Sequence, residues 1–328
     1  MMSRAKITSY SMMAAILAVI IWFKLGHVLL AALFSYMILD LSRRKFQERM
    51  RPSYAKASAL LVLTLAFSAL FWMLVRFIRQ LFSTLPKITG ESVLKIVQLA
   101  DSQGIELPFE NANELKAMVL DKLFANAHTL TVTSTFLTKE VFHIVIAIAV
   151  AILFFLSEDK PVKSTPNMFE AVRKEFNQRV RLFMTGFEKV FGAQVIISAL
   201  NTIMTAIFLS IIAMPYAAFL ITTTFVLGLL PIIGNLLTNT LITMTALTMS
   251  LKMATLALLY LIFIHKLEYF LNSRIMGSSI NVPMWQTLLA ILAGEIIMGV
   301  TGILLAPAIL HYIKAELQDI PCAGTDCA

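Results

Sequence analysis

The feature that most limits how this chain can fold is a run from Val190 to Leu251 that contains no charged residue. As an α-helix the run would extend for about 90 Å, which is enough for three membrane crossings, or for two crossings and a re-entrant segment. Met214 and Pro215 interrupt the run once, and Pro231 to Asn235 interrupt it again. Irregular backbone at membrane depth must be buried in protein or line a cavity. The second interruption is therefore a candidate transport site.

Composition places the rest of the chain in the membrane as well. The 328 residues are 59% hydrophobic and 14% charged, and the mean hydropathy of +0.82 excludes an ordinary soluble domain. The apolar stretches are continuous, which favours helices. The formal net charge of +8 does not indicate a nucleic-acid partner, because the basic residues cluster at the ends of apolar runs. We expect an all-α polytopic membrane protein surrounded by a lipid bilayer.

The distribution of charge predicts the order of the segments. A short turn at Lys24 to His27 separates the first two apolar runs, and the strongest basic cluster, Arg43 to Lys56, marks the cytoplasmic side. About eight transmembrane helices are expected, with nine as the alternative. The predicted segments are spans 1–3 in residues 1–80, a helical extracytoplasmic insert in 81–138, span 4 and a cytoplasmic loop in 139–189, a transport core of spans 5–8 in 190–313, and a polar tail in 314–328.

One acidic residue lies within the last long apolar stretch, Val282 to Lys314. This stretch predicts a single membrane helix, and a carboxylate at its depth costs several kcal/mol, so Glu295 is a functional candidate. On one helix Glu295 would share a stripe with small residues that permit close helix contact. The alternative that Glu295 only packs against a neighbour remains open. The stripe consists of Glu295, Gly299, Gly302 and Ala306, with Pro307 directly after it.

Polar side chains elsewhere in the apolar runs are further site candidates. One group forms a stripe on the helix before the break, one residue lies at the break, and a third group shares a face of the following span. Hydrogen bonds between helices, at about 0.6 kcal/mol each, or a headgroup location for the third group are the alternatives. The three groups are Gln194, Ser198, Asn201 and Thr205; Asn235; and His265, Glu268 and Asn272.

Other chemistry has little support in the sequence. His143 is a lone histidine on an apolar background and is expected to be structural, and Cys322 and Cys327 make a weak disulfide or metal pair. The HExxH, GxSxG, Walker A and GxGxxG motifs are all missing from the sequence. We therefore expect no enzyme activity, no cofactor and no metal.

Three stretches resemble the AI-2E transporter family, also called the autoinducer-2 exporter or PerM-like permease family. They are PIIGN from Pro231, HKLEYFLNSRIMG from His265 and LAGEIIMGVTGILLAP from Leu292. Ser273 and Pro283-Met284 depart from the family pattern before the last span. The residues that match the family motifs are Pro231, Gly234, Glu268, Gly294, Gly299, Gly302, Ala306 and Pro307.

The resemblance implies a multi-pass protein of the bacterial cytoplasmic membrane, with about eight spans and both termini inside. It implies export of a small signalling molecule of the autoinducer-2 type, or sodium/proton antiport, by a homo-oligomer with the pentamer among the expected forms. Our first hypothesis is a transporter of a small solute or cation in which protonation of Glu295 alternates with binding. The alternative is a passive oligomeric pore or membrane scaffold, which would show no coupling to an ion gradient.

Overall fold

In a computed structural model of the chain, the structure describes residues 4–102, 104, 117, 121, 134–157, 167–230, 233–280 and 283–318, with the backbone alone at 134–139, 269, 271–280 and 284. These residues form ten α-helices and no strand, which confirms the all-α prediction. The helices are α1 (Arg4–Trp22), α2 (Gly26–Gln47), α3 (Pro52–Ser102), α4 (Ser134–Ser157), α5 (Met168–Ile211), α6 (Ala217–Gly228), α7 (Ile233–Met249), α8 (Leu251–Ile280), α9 (Met284–Met298) and α10 (Val300–Gln318).

Several of these helices have the length and hydropathy of membrane spans. Among the described residues five qualify, namely α1, α3, α4 from Glu140, α5 and α10, while α6 and most of α9 are apolar but shorter. The total of about eight spans remains a prediction. A turn does separate the first two helices, but it lies at Phe23 to Leu25, because α1 ends at Trp22 and α2 begins at Gly26. Gly26 and His27, which were predicted to be part of the turn, are therefore already helical.

The chain forms two compact units. The first unit combines residues 1–67, 139–192 and 277–328, and the second combines residues 68–138 and 193–276. Because α3 has 51 residues and α5 has 44, each of these helices contributes one part to each unit. The predicted insert at 81–138 begins as the continuous second part of α3, and most of its remaining residues lie outside the described part of the chain.

A buried arginine organises one end of the first unit. Arg179 on α5 has a side chain that is only 4% exposed, and its Nη1 donates to Glu175 Oε2 at 2.9 Å and to Ser9 Oγ at 3.1 Å. Its guanidinium lies 4.0 Å from the centre of the Tyr10 ring, and the Tyr10 hydroxyl donates to Glu316 Oε2 at 2.6 Å. These contacts join α1, α5 and α10.

The second unit has its own apolar core, built from α3, α5, α6, α7 and α8. The chain reverses between α5 and α6, where Ala213 and Tyr216 adopt left-handed backbone angles, φ 49° and 57°. The Tyr216 hydroxyl donates to Glu91 Oε1 at 2.9 Å, and this hydrogen bond, followed by burial, raises the pKa of Tyr216. The core residues are Ile88, Leu209, Met214, Phe219, Leu220, Ile242, Ala246, Ala254, Ala257, Leu261 and Ile264.

The prediction that the stretch from Val282 to Lys314 forms a single membrane helix is wrong. Helix α9 ends at Met298, because Gly299 adopts φ 62° and ψ −143°, a conformation that favours glycine. Helix α10 then folds back along α9, so that the backbones of Gly294 and Gly302 are in contact. The predicted small residues do allow close approach, but between two helices of a hairpin. Glu295, Gly299, Gly302 and Ala306 therefore do not form one helical stripe.

Candidate transport site

The break in the second unit is stabilised by the polar stripe on α5. A helix leaves its last four carbonyls without partners inside the helix, and α6 ends at Gly228. Gln194 Nε2 donates to the Gly228 carbonyl at 2.7 Å, and Ser198 Oγ donates to the Phe225 carbonyl at 2.9 Å. A Cβ at Gly228 would lie only 2.7 Å from Ser198 Oγ, so glycine permits this close packing. Two of the four stripe residues thus donate hydrogen bonds to carbonyl groups in the last turn of α6.

The same stripe continues into a small polar cleft within the second unit. Four helices, α5 to α8, surround the cleft, and its volume is about 10 Å³, close to that of a single water molecule. Sequence reasoning singled out five of its lining residues, and the fold brings them together. The lining residues are Asn201, Thr205, Thr224, Asn235, Thr238, Asn239, Ile242, Ile264, His265 and Glu268.

The central contact of the cleft is a hydrogen bond between α7 and α8. Asn235, in the first turn of α7, donates from Nδ2 to Glu268 Oε1 at 2.5 Å. Both side chains are partly buried, whereas His265, one turn before Glu268, is exposed. A hydrogen bond from an amide to a carboxylate is charge-assisted and is stronger than one between neutral groups. Asn235 thus links the start of α7 to Glu268, the one acidic side chain among the described residues that line the cleft.

The cleft offers oxygen atoms as ligands. Asn201 is 6% exposed, and its Oδ1 has no hydrogen-bond partner among the residues that the structure describes. Thr205 Oγ1 lies 3.1 Å from the Tyr260 hydroxyl and faces the same space. Carboxylate, amide and hydroxyl oxygens are the ligands that hard cations prefer. The arrangement can therefore hold a proton, a water molecule or a small cation.

The remaining predicted site residues lie elsewhere. Glu295 belongs to the first unit, is exposed in the single chain and does not line the cleft. Pro231 and the side chain of Asn272 lie outside the described residues. In the first unit Ala306 Cβ is 3.0 Å from where a Cβ at Gly294 would lie, and Pro307 is buried inside α10.

Sequence reasoning missed three polar residues of the cleft, Thr224, Thr238 and Asn239. The sequence did contain a pattern for two of them. Thr238 lies four residues after Gly234, and Asn239 lies four residues after Asn235. Thr238 also donates to the Gly234 carbonyl at 2.8 Å, within its own helix. A threonine in an apolar helix often bonds in this way, so its type alone did not indicate a site.

A polar cleft beside an interrupted apolar helix is also found at the binding sites of many membrane transporters. The model of the family described as "AI-2E family transporter" matches residues 10–321, and the chain belongs to that family. The predicted resemblance is thereby confirmed.

A relative supports the same class of protein. The Bacillus subtilis (strain 168) protein named "Putative transport protein YdbI" is 29% identical over 168 residues, which are 49% of this chain and 48% of that protein. The matched part thus spans about half the length of this relative. The name of this relative agrees with the description of the family to which the chain belongs.

Proposed function

We propose that the chain is a proton-coupled transporter of a cation or small polar solute in the bacterial cytoplasmic membrane, and that Glu268 is the coupling carboxylate. The observation that carries this proposal is the hydrogen bond from Asn235, beside the break, to Glu268 within the polar cleft. An ionisable residue inside a membrane protein is a functional candidate. A broken helix is where secondary transporters form their sites.

The coupling follows from the charge of one side chain. When Glu268 is deprotonated, its carboxylate accepts the hydrogen bond from Asn235 and attracts a cation into the cleft. When Glu268 is protonated, that attraction disappears and the cation leaves. Because both ions depend on the same carboxylate, they compete. When the site opens to one side of the membrane at a time, this competition exchanges a proton for a cation.

The size of the cleft favours a cation as the first substrate to test. A volume of about 10 Å³ accommodates one water molecule or a dehydrated cation. A solute with several carbon atoms, such as a signalling molecule of the autoinducer-2 type, would require α7 to separate from α8. Sodium/proton antiport is thus the narrower form of the proposal, and export of a small solute is the broader form.

The test is flux in liposomes that contain the purified protein and an internal pH-sensitive dye. Addition of Na⁺, Li⁺ or K⁺ outside should change the internal pH, and Glu268→Gln should abolish that change, because glutamine cannot exchange a proton. Glu170→Gln, a half-buried position on the first turn of α5, serves as the matched control. Unchanged flux in Glu268→Gln would refute the assignment.

Glu295→Gln separates the two acidic candidates. Loss of flux in Glu295→Gln but not in Glu268→Gln would move the site to the α9–α10 hairpin. The passive pore makes a different prediction, since it would conduct ohmic currents in a voltage-clamped bilayer without coupling to protons. Homo-oligomers, with the pentamer among the expected forms, are also proposed, and native mass spectrometry in detergent measures the number of subunits.

A further inference from the structure

Three side chains with metal-ligand chemistry meet in the first unit. His27 is the second residue of α2, and Glu140 and His143 lie one turn apart on α4. His27 Nε2 lies 2.5 Å from Glu140 Oε2, and one ligand atom from each of the three residues lies within 4.8 Å of the others. The two imidazole rings are tilted by 37°, with their centres 6.3 Å apart. Residues far apart in the sequence thus converge on one point.

The ion pair between His27 and Glu140 does not provide a partner for every polar atom of this cluster. His143 Nδ1 is a buried atom without a hydrogen-bond partner among the residues that the structure describes, and the one polar contact of the buried His27 Nε2 in that part of the chain is its ion pair with Glu140. The side chains of His27 and Glu140 are 29% and 27% exposed, so solvent can reach the cluster from one side. A buried ring nitrogen without a partner carries a desolvation cost that a bound ion would remove.

The geometry suits a transition metal. Zinc binds imidazole nitrogen and carboxylate oxygen at about 2.0–2.2 Å, and tetrahedral ligand atoms are then about 3.3 Å apart. Movements of about an ångström at side chains would bring the three ligand atoms to these positions. Three protein ligands would leave the fourth position open to water.

We propose that His27, Glu140 and His143 form a binding site for one divalent transition metal ion of the zinc type. The ion would join the first turn of α2 to α4. The predicted topology puts both segments on the extracytoplasmic side, so the ion would be taken up from outside the cell. This proposal revises the expectations that His143 is structural and that the chain binds no metal.

The site is linked by packing to the α9–α10 hairpin. Gly26, the residue before His27, contacts Thr301, and a Cβ at Gly26 would lie 2.7 Å from Met298 Cε. Met298 and Thr301 flank Gly299, where the chain reverses. An ion at His27 would hold the segment against which this reversal packs, and would thereby stabilise the first unit.

The experiment measures metal binding by the purified full-length protein in detergent. After removal of metals with a chelator and dialysis, calorimetric titration with Zn²⁺ should give one strong site per chain. Co²⁺ in place of Zn²⁺ should give the visible absorption of a four-coordinate complex. His27→Gln, Glu140→Gln and His143→Gln should each weaken zinc binding by on the order of 100-fold or more.

His311→Gln is the matched control, because His311 lies on α10, lines neither the polar cleft nor the three-residue cluster, and its replacement should leave zinc binding unchanged. Size-exclusion profiles and melting temperatures in the absence of metal verify that the variants fold. The proposal is overturned if the unaltered protein binds no zinc at micromolar concentration, or if all three variants bind it as well as the unaltered protein does. In either case the cluster is an ion pair with a neighbouring histidine.

Discussion

Two glutamates in the apolar sequence, Glu268 and Glu295, have different surroundings in the structure. Glu268 accepts a hydrogen bond from Asn235 and lines a polar cleft. Glu295 is exposed in the single chain, four residues before the reversal at Gly299. The cost of a charge at membrane depth identified Glu295 as a candidate, whereas Glu268 was a candidate because it shares a helical face with two other polar side chains of its span. Of these two glutamates, Glu268 has polar neighbours from several helices among the described residues, as the proposed competition between a proton and a cation requires.

The hydrogen bond between these two side chains leads to a specific expectation. Asn235→Ala removes the donor, and a hydrogen bond to a charged group contributes about 1.5–3 kcal/mol. Cation-driven proton flux in liposomes should therefore require a cation concentration about tenfold higher or more for half-maximal rate. Asn239→Ala removes an amide from the same cleft but leaves the Asn235–Glu268 contact in place. Equal effects of the two changes would argue against a special role for Asn235.

Among the helices, glycines determine where two of the reversals can pack closely. Gly299 provides the positive φ that ends α9, and Gly294 and Gly302 let the two arms of the hairpin touch. In the second unit Gly234 contacts the Leu227 carbonyl, and Gly228 accommodates Ser198. Helical periodicity in the sequence does not show whether a helix ends at such a glycine, because glycine populates positive φ about as readily as negative φ.

The close packing of the hairpin predicts a large effect from one methyl group. Gly302→Ala would put a Cβ into the Gly294 backbone, so the two helices must move apart, at a cost of about 1–3 kcal/mol. The melting temperature of the detergent-solubilised protein should fall. Gly192→Ala on α5 has open space around its Cβ and should leave the melting temperature unchanged or slightly raised, since alanine favours helix. Similar melting temperatures for both variants would show that the hairpin is loosely packed.

For the chain as a whole, charged contacts join helices that are distant in sequence. Arg179 connects α1, α5 and α10 in the first unit, through Ser9, Tyr10 and Glu316. The acidic partner is also poorly exposed, because the Glu316 side chain is only 13% accessible. Removal of one partner from a buried ion pair leaves the other charge without compensation.

Arg179→Ala should therefore destabilise the protein by about 3 kcal/mol, measured as a fall in melting temperature or as unfolding at a lower denaturant concentration. Arg173→Ala is the matched control, since Arg173 lies on the same helix and is exposed. Exposed charges contribute little, and the control should melt like the unaltered protein. If Arg179→Ala also does so, the network contributes nothing to stability.

Several properties of this chain followed from the amino-acid sequence alone. The length and hydropathy of its apolar runs predicted an all-helical membrane protein, because a backbone in lipid must satisfy its own hydrogen bonds. The interruption at Pro231 to Asn235, the polar stripe from Gln194 to Thr205 and the family motifs were also recognisable. These are local patterns, and local patterns determine helix content and membrane placement.

Contacts between residues that are distant in the sequence determined the features of the site that sequence patterns did not predict. The stripe divides into Gln194 and Ser198, which satisfy the end of α6, and Asn201 and Thr205, which line the cleft. His27 meets Glu140, and Asn235 meets Glu268. Helical spacing indicates which side chains share a face, but only the packing of one helix on another determines what that face contacts. For the same reason, the reversal at Gly299 could not be predicted from spacing, since a glycine adopts the backbone angle that its surroundings require.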